Sequence, residues 1–144
     1  MSKYNFEQKR NDYETPPELV KIALQLVKAD EFDLDVCCSR RNIPAKKHYI
    51  YGEYDGLKND WEKLNWCNPP FNECKLWIKR AYDEMLKGNT TVMLLPVRTE
   101  TKYFHDYILH RSEIRFVKGR LKFGNAKYNA PFPSMIVIFR GAGM

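Results

Sequence analysis

Several common arrangements are missing from this chain. Its four cysteines, Cys37, Cys38, Cys67 and Cys74, form no C-x-x-C pair, and none of its three histidines stands at a zinc-finger spacing from them. A metal site is therefore not expected. Cys37 and Cys38 are neighbours in an apolar stretch and read as small core residues of a reduced protein. No apolar run approaches the roughly 20 residues that a membrane span needs. The N-terminus, MSKYNFEQKRNDYE, is too polar for a signal peptide, so the expected location is the cytoplasm. Internal repeats and low-complexity tracts are absent as well. The 144 residues suit one domain over 1–144, with residues 1–12 expected to be disordered at its start.

What the chain does have is ordinary globular composition, 44% hydrophobic and 29% charged, with 24 Lys and Arg against 18 Asp and Glu. That basic balance favours a polyanionic partner without naming one.

Read in order, the chain alternates. Thr15-Pro16-Pro17-Glu18 has the form of a capping box with proline at the first helical position. Leu19, Ile22, Ala23, Leu26 and Val27 then make one helical face, which predicts a helix to about Ala29. Phe32-Asp33-Leu34-Asp35-Val36-Cys37 reads as a strand, and residues 39–60 as a polar stretch with a short strand at 48–51. Leu64-Asn65-Trp66-Cys67 is a further strand, stopped by Asn68-Pro69-Pro70. A helix fits 73–87, with Ile78, Ala81, Tyr82, Met85 and Leu86 inward and Gly88 as its stop. The unbroken run Thr91-Val92-Met93-Leu94-Leu95 suits a buried parallel strand. A helix is expected over about 100–110, then a hairpin of 114–117 and 121–123 around Lys118-Gly119-Arg120. The last strand is 135–139. Such alternation implies an α/β fold of three layers, its sheet mostly parallel with a C-terminal hairpin. Ligands of such sheets bind beyond the C-terminal ends of the strands, where Asp35, Asn68-Pro69-Pro70-Phe71 and Pro96-Val97-Arg98 are expected.

Asn68-Pro69-Pro70-Phe71 carries the most chemistry. Any one of its features would serve a plain strand-ending turn. The whole string, after an apolar strand and before a helix, suits an exocyclic aromatic amine. Such an amine is a poor nucleophile because its lone pair is delocalised into the ring. The Asn68 carboxamide oxygen and the Pro69 carbonyl can each accept one of its hydrogens. The prolines stiffen the backbone that aims the carbonyl. Phe71 offers a flat face to a base taken out of the duplex.

On these residues the chain resembles the phage DNA N-6-adenine methyltransferases, the small Dam-like family, over about residues 12–139. The marks are Tyr13-Glu14-Thr15-Pro16-Pro17, Phe32-Asp33-Leu34-Asp35, Asp55-Gly56-Leu57 with Asp60-Trp61, and Trp66-Cys67-Asn68-Pro69-Pro70-Phe71. After them come Leu95-Pro96-Val97-Arg98-Thr99, Tyr103-Phe104-His105, Gly119-Arg120-Leu121-Lys122-Phe123 and Ala130-Pro131-Phe132-Pro133-Ser134. The resemblance implies a reduced Rossmann-like class I methyltransferase sheet, S-adenosylmethionine as cofactor and the N6 of a flipped adenine as target. It also implies catalytic roles for Asn68, Pro69, Pro70 and Phe71. Thr15 and Pro16 match the segment that contacts the cofactor's methionine end, where a helix N-terminus suits a carboxylate. Asp35 matches an acceptor for the cofactor's amino group, and Asp60 one for its adenine amine. The family's glycine-rich turn is missing, since Asp35 is followed by Val36-Cys37-Cys38-Ser39. The acid on the cofactor ribose has only Glu53 and Asp55 as candidates.

Double-stranded DNA is the expected partner. Arg98, Arg120 and Lys122 lead a basic C-terminal third as candidate DNA contacts, interleaved with tyrosines. His48, His105 and His110 lack a partner pattern for general-base work. No separate target-recognition domain is expected, so loops, or a second subunit in a homodimer, have to supply sequence choice. Two other readings stand beside this one. One is an amino-group methyltransferase acting on RNA or on a protein glutamine. The other is a catalytically inactive DNA-binding or anti-restriction module.

Overall fold

The computed structural model describes residues 14–122 and 130–143. The expectations for residues 1–12 and for the strand end at Phe123 lie outside them. Helix α1 spans Pro17–Val27, followed by strands β1 (Phe32–Cys38), β2 (Ala45–Ile50) and β3 (Leu64–Cys67). Helix α2 (Cys74–Leu86) leads to β4 (Thr90–Pro96), and β5 (Glu113–Phe116) and β6 (Ser134–Phe139) complete the set. The six strands form one sheet in the order β2-β1-β3-β4-β6-β5. β2, β1, β3 and β4 run parallel, while β6 is antiparallel to both β4 and β5. The α/β expectation holds, and the sheet is mixed.

The apolar run of β4 is unbroken because both of its faces are covered. Val92 and Leu94 pack with Ile136, Ile138 and the α1 residues Leu19, Val20, Ala23 and Leu24. Met93 and Leu95 pack with Met135, Val137 and the α2 residues Trp77, Ile78 and Ala81. Alternate side chains point to opposite faces, so one strand feeds two cores.

The structure corrects several expectations. The expected hairpin between 114–117 and 121–123 does not form among the described residues. β5 instead pairs with β6 across the long 117–133 connection, Glu113 opposite Ile138 and Phe116 opposite Met135. The expected third helix shrinks to a π-helical turn at Phe104–Ile108. Leu86 of α2 is 68% exposed. Glu84 is buried instead, because Arg80 and Asn89 satisfy its carboxylate. α1 starts without a capping box. Pro16 is the N-cap residue and no side chain caps the helix.

The chain leaves β1 for β2 on one side and returns to β3 on the other. Connections diverge from the tips of β1 and β3, and a crevice opens there in open α/β sheets.

Candidate active site

Asn68 follows the last residue of β3 and Asp35 lies within β1, opposite His48 and Trp66. Asp35 is thus three residues short of the strand end where the sequence put it. Both residues nevertheless line one narrow cleft, together with Glu14, Thr15, Cys37, Ser39 and Asn42. Thr15 and Asn42 also border a broader groove that follows α1 past Val20 and Leu24.

The four residues after β3 are held through their backbone. The Cys37 thiol donates to the Asn68 carbonyl at 3.3 Å. The Glu73 N–H donates to the Pro70 carbonyl at 2.9 Å, in the turn that opens Phe71–Glu73. The Cys74 thiol reaches the Phe71 carbonyl at 3.4 Å. Burial pushes that thiol up to about 12, so it stays a protonated donor. No loop hydrogen bond among the described residues ends on the Pro69 carbonyl. Pro69 and Pro70 are buried and Phe71 is half-buried. The Asn68 amide nitrogen donates to the Thr15 hydroxyl at 3.2 Å.

On the β1 side of the cleft, Asp35 is 1% exposed, and Cys37 N–H approaches its carboxylate at 3.4 Å. Glu14 is ion-paired with Arg40. Two carboxylates in one cleft suit a ligand that carries an ammonium or sulfonium. The start of α1 offers less than expected to an anion. Pro17 has no N–H, and the N–H of Leu19 is used by the Pro16 carbonyl. Neither Pro16 nor Asp60 lines the cleft. Asp60 belongs to the opposite side of the sheet, beside Trp61, whose ring stacks on Trp77 of α2. Its loop lies so close to β1 that a Cβ on Gly56 would meet the Val36 carbonyl at 2.0 Å. Arg80 fastens the same loop through the carbonyls of Leu57 and Asn59 at 3.0 and 2.8 Å. The described residues contain no cluster of three or more metal-ligating side chains.

Arg98 follows β4 by two residues and is exposed. Because β3 and β4 are parallel, it leaves the sheet at the same edge as Asn68. Its guanidinium is engaged by Glu100, at 2.9 Å from Nε and 2.7 Å from a terminal nitrogen. β5 runs parallel to β4, since both oppose β6. Residues 117–122 therefore leave the sheet at the same rim, with Arg120 and Lys122 exposed.

Thr15, Asp35 and Asn68 are thus brought together, with Phe71, Arg98, Arg120 and Lys122 toward the rim. The sequence reading missed Cys37 and Cys74 as donors to the Asn68 and Phe71 carbonyls. It also missed Arg80. Nothing in the local pattern marks Cys37 and Arg80, which act across the fold, whereas Cys74 acts within its own turn, three residues from Phe71.

Comparison with known proteins gives a consistent result. A family model described as DNA N-6-adenine-methyltransferase (Dam) matches residues 3–142. A protein of Haemophilus phage HP1, named DNA N-6-adenine-methyltransferase, is 32% identical over 76% of this chain and 67% of its own length. A protein of Escherichia phage T1 with the same name is 31% identical over 78% of this chain. The chain spans about half, 47%, of that second relative.

Proposed function

The chain belongs to the DNA N-6-adenine-methyltransferase (Dam) family, and from that premise we propose that it methylates N6 of an adenine flipped out of double-stranded DNA. The observation that carries this reading is the shared cleft. Asn68 sits at its edge with its backbone held by Cys37, while the buried acid Asp35 lines the same cavity. In this reading the α1 face holds the cofactor, and the target base arrives from the side of Phe71.

S-adenosylmethionine, when bound, supplies a methyl group already activated on a sulfonium. The acids and amides of the cleft fit it. Asp35 would accept from its amino group and Thr15 would border its methionine end, with Pro16 next to Thr15 in the chain but outside the cleft lining, and Asn42 lies where the cleft widens. Asp60 serves the adenine amine only if the bound molecule extends past the β1 tip to the α2 side.

The chain's own residues hold the target. The Asn68 amide oxygen and the Pro69 carbonyl accept the two hydrogens of the exocyclic amine. These contacts strengthen as the nitrogen becomes tetrahedral and takes on positive charge. The prolines and the thiol contacts keep both acceptors aimed before the base arrives, so little reorganisation is needed. The nitrogen would gain its methyl as the sulfonium's carbon–sulfur bond breaks, the electron pair staying on sulfur as a neutral thioether, and one of its two protons would then pass to solvent. Phe71 stacks on the base. Arg98, Arg120 and Lys122 line the rim for phosphates. In architecture the sheet is a reduced Rossmann-like class I methyltransferase sheet, with α1 and α2 as outer layers. No helix among the described residues is long and apolar enough to cross a membrane, and we place the reaction in the host cytoplasm.

The test is direct. The protein is incubated with labelled S-adenosylmethionine and duplex DNA, RNA or protein, and the product is identified. N6-methyladenine in DNA is the expected outcome. Label on RNA or protein glutamine overturns the substrate assignment. DNA binding without any transfer supports the inactive module.

A further inference from the structure

The charge of this chain is unevenly placed. Residues 1–113 hold 18 Lys and Arg and all 18 Asp and Glu. Residues 114–144 hold the other six cations and no acid, so the whole net charge of +6 falls there. Four of the six, Arg115, Lys118, Arg120 and Lys122, are exposed on β5 and on the segment that leaves it. None of these four forms an ion pair among the described residues. Glu113, the last acid in the chain, is already held by Arg140 at 2.6 and 3.1 Å.

Phe116 stands within this stripe and is 65% exposed. A single exposed apolar side chain needs no explanation by itself. The setting of this one does. β5 is the outermost strand, so its outer edge is open. An edge strand is ordinarily blunted by charge, which Arg115 supplies and a phenyl ring does not. Phe116 lies opposite Met135, which lies opposite Leu95 near the end of β4. The ring is therefore level with the tip of β4, at the rim from which the Asn68 string emerges. β3 and β5 are three strand spacings apart in the sheet, about 14 Å at roughly 4.8 Å each. Along one strand of DNA that is about four nucleotides.

We infer that Phe116, Arg115 and Lys118 form a further contact surface for duplex DNA, in which the ring stacks on a base near the target and the two cations take phosphates. An aromatic ring set among cations is the arrangement that holds exposed bases. A base swung out leaves its neighbours with an open face, and an inserted apolar ring covers such a face. A second copy of the chain paired edge to edge would instead set these cations against their own equivalents, which repel. The inference rests on the reading of duplex DNA as the substrate. It adds to Arg98, Arg120 and Lys122 a contact at the edge of the sheet remote from the β1 cleft.

The experiment measures binding of a short adenine-containing duplex by anisotropy at several salt concentrations, with mass by sedimentation and folding by thermal melts. Phe116→Ala should weaken binding about fivefold or more and leave the salt slope unchanged, because a stacked ring neutralises no phosphate. Phe116→Trp should restore the affinity. Arg115→Ala and Lys118→Ala should each lower the slope by about one. All four variants should melt like wild type, since these side chains are exposed. Full affinity in Phe116→Ala overturns the stacking role, and so does a tryptophan variant as weak as alanine or an alanine variant that melts early. Unchanged slopes in the two cation variants overturn the phosphate contacts. A wild-type dimer that Phe116→Ala splits gives the ring to a second copy and overturns the proposal. A wild type that binds no duplex overturns the underlying reading of the substrate instead.

Discussion

The rings of Phe71 and Phe132 meet with centroids 4.9 Å apart and planes inclined by 33°. Phe71 closes the Asn68-Pro69-Pro70-Phe71 string, and Phe132 sits just ahead of β6. The two turns that flank the β4 tip are thus joined by an aromatic contact at the rim. Base–aromatic stacking is worth roughly 1–3 kcal/mol per base. Phe71→Ala is therefore expected to lower turnover on DNA about tenfold or more, with cofactor affinity unchanged. Phe71→Tyr, which keeps the ring, should stay near wild type. Single-turnover kinetics on duplex DNA decide this, and an alanine variant at full rate would remove Phe71 from the base site.

Asp35 carries a different expectation. It is buried in β1 and lines the cleft without touching the tetrapeptide in any described contact. Asp35→Asn keeps its size and removes its charge. A cofactor ammonium left without its charged acceptor should cost roughly 1–3 kcal/mol of binding. Calorimetric titration should show the loss, while DNA affinity measured by anisotropy stays the same. Equal cofactor affinity in a folded variant would sink the assignment.

Arg80 is a residue whose removal should cost stability. It pairs with buried Glu84 at 2.9 Å, packs over the Trp61 ring at 4.8 Å and holds the carbonyls of Leu57 and Asn59. Breaking a buried pair by deleting one partner costs about 3–5 kcal/mol. Arg80→Ala should therefore lower the melting temperature clearly. Burial alone would raise the carboxyl of Glu84. Hydrogen bonds from Asn89 and Arg80, with the charges of Arg80 and Lys87, more than offset this and hold it below the usual range. A folded value below the unfolded one gives stability that is present above the unfolded pKa. That stability is lost as pH falls through the folded value. Glu84→Gln should thus flatten the loss of melting temperature in acid relative to wild type. An unchanged acid profile would show that this pair does not couple to folding.

Much of this architecture was legible because its signals are local. β1, β3, β4 and β6 are apolar runs bounded by turn residues. The Asn68-Pro69-Pro70-Phe71 string sits where a strand must stop. β2 was half seen, because Lys46 and Lys47 on an exposed edge strand erase the apolar pattern. The capping box at Thr15 obeyed the local rule and failed. With Asn68 at hand, the hydroxyl is engaged 53 residues away rather than at the helix start. Leu86 fits the helical period and is exposed, while Glu84 is buried with Arg80, Lys87 and Asn89, all within five residues of it, satisfying its carboxylate. The partner of β5 was misassigned because it is distant in the chain. Short spacing favours 121–123, but the free edge of β6 offers a ladder already in place. Asp60 shares with Asp35 an acidic side chain, and it is much the nearer of the two to Asn68 in sequence. Only the packing of Gly56 and Trp61 against the α2 side separates them.

Arg98 brings the sequence reading and the structure closest to conflict. It is expected at the DNA, and it is found on Glu100, with two of its nitrogens sharing one carboxylate oxygen. Both side chains are largely exposed, at 46% and 65%. The hydrogen bond to Glu100 raises the guanidinium further above its already high value, so its charge is constant over any working pH. An exposed pair of this kind is screened by salt and contributes little to folding. A phosphate can therefore take the place of Glu100 at small cost. Each phosphate neutralised releases condensed counterion, so affinity falls with salt in proportion to the contacts made. Arg98→Ala should weaken duplex binding and lower the salt slope by about one, with cofactor affinity and melting temperature nearly unchanged. Glu100→Gln should act in the opposite direction, because it frees the guanidinium and removes a repelling charge from the rim. Anisotropy on a short duplex at several salt concentrations measures both variants. If Arg98→Ala leaves slope and affinity unchanged while the protein melts earlier, the pair stiffens the loop after β4 and Arg98 leaves the DNA site.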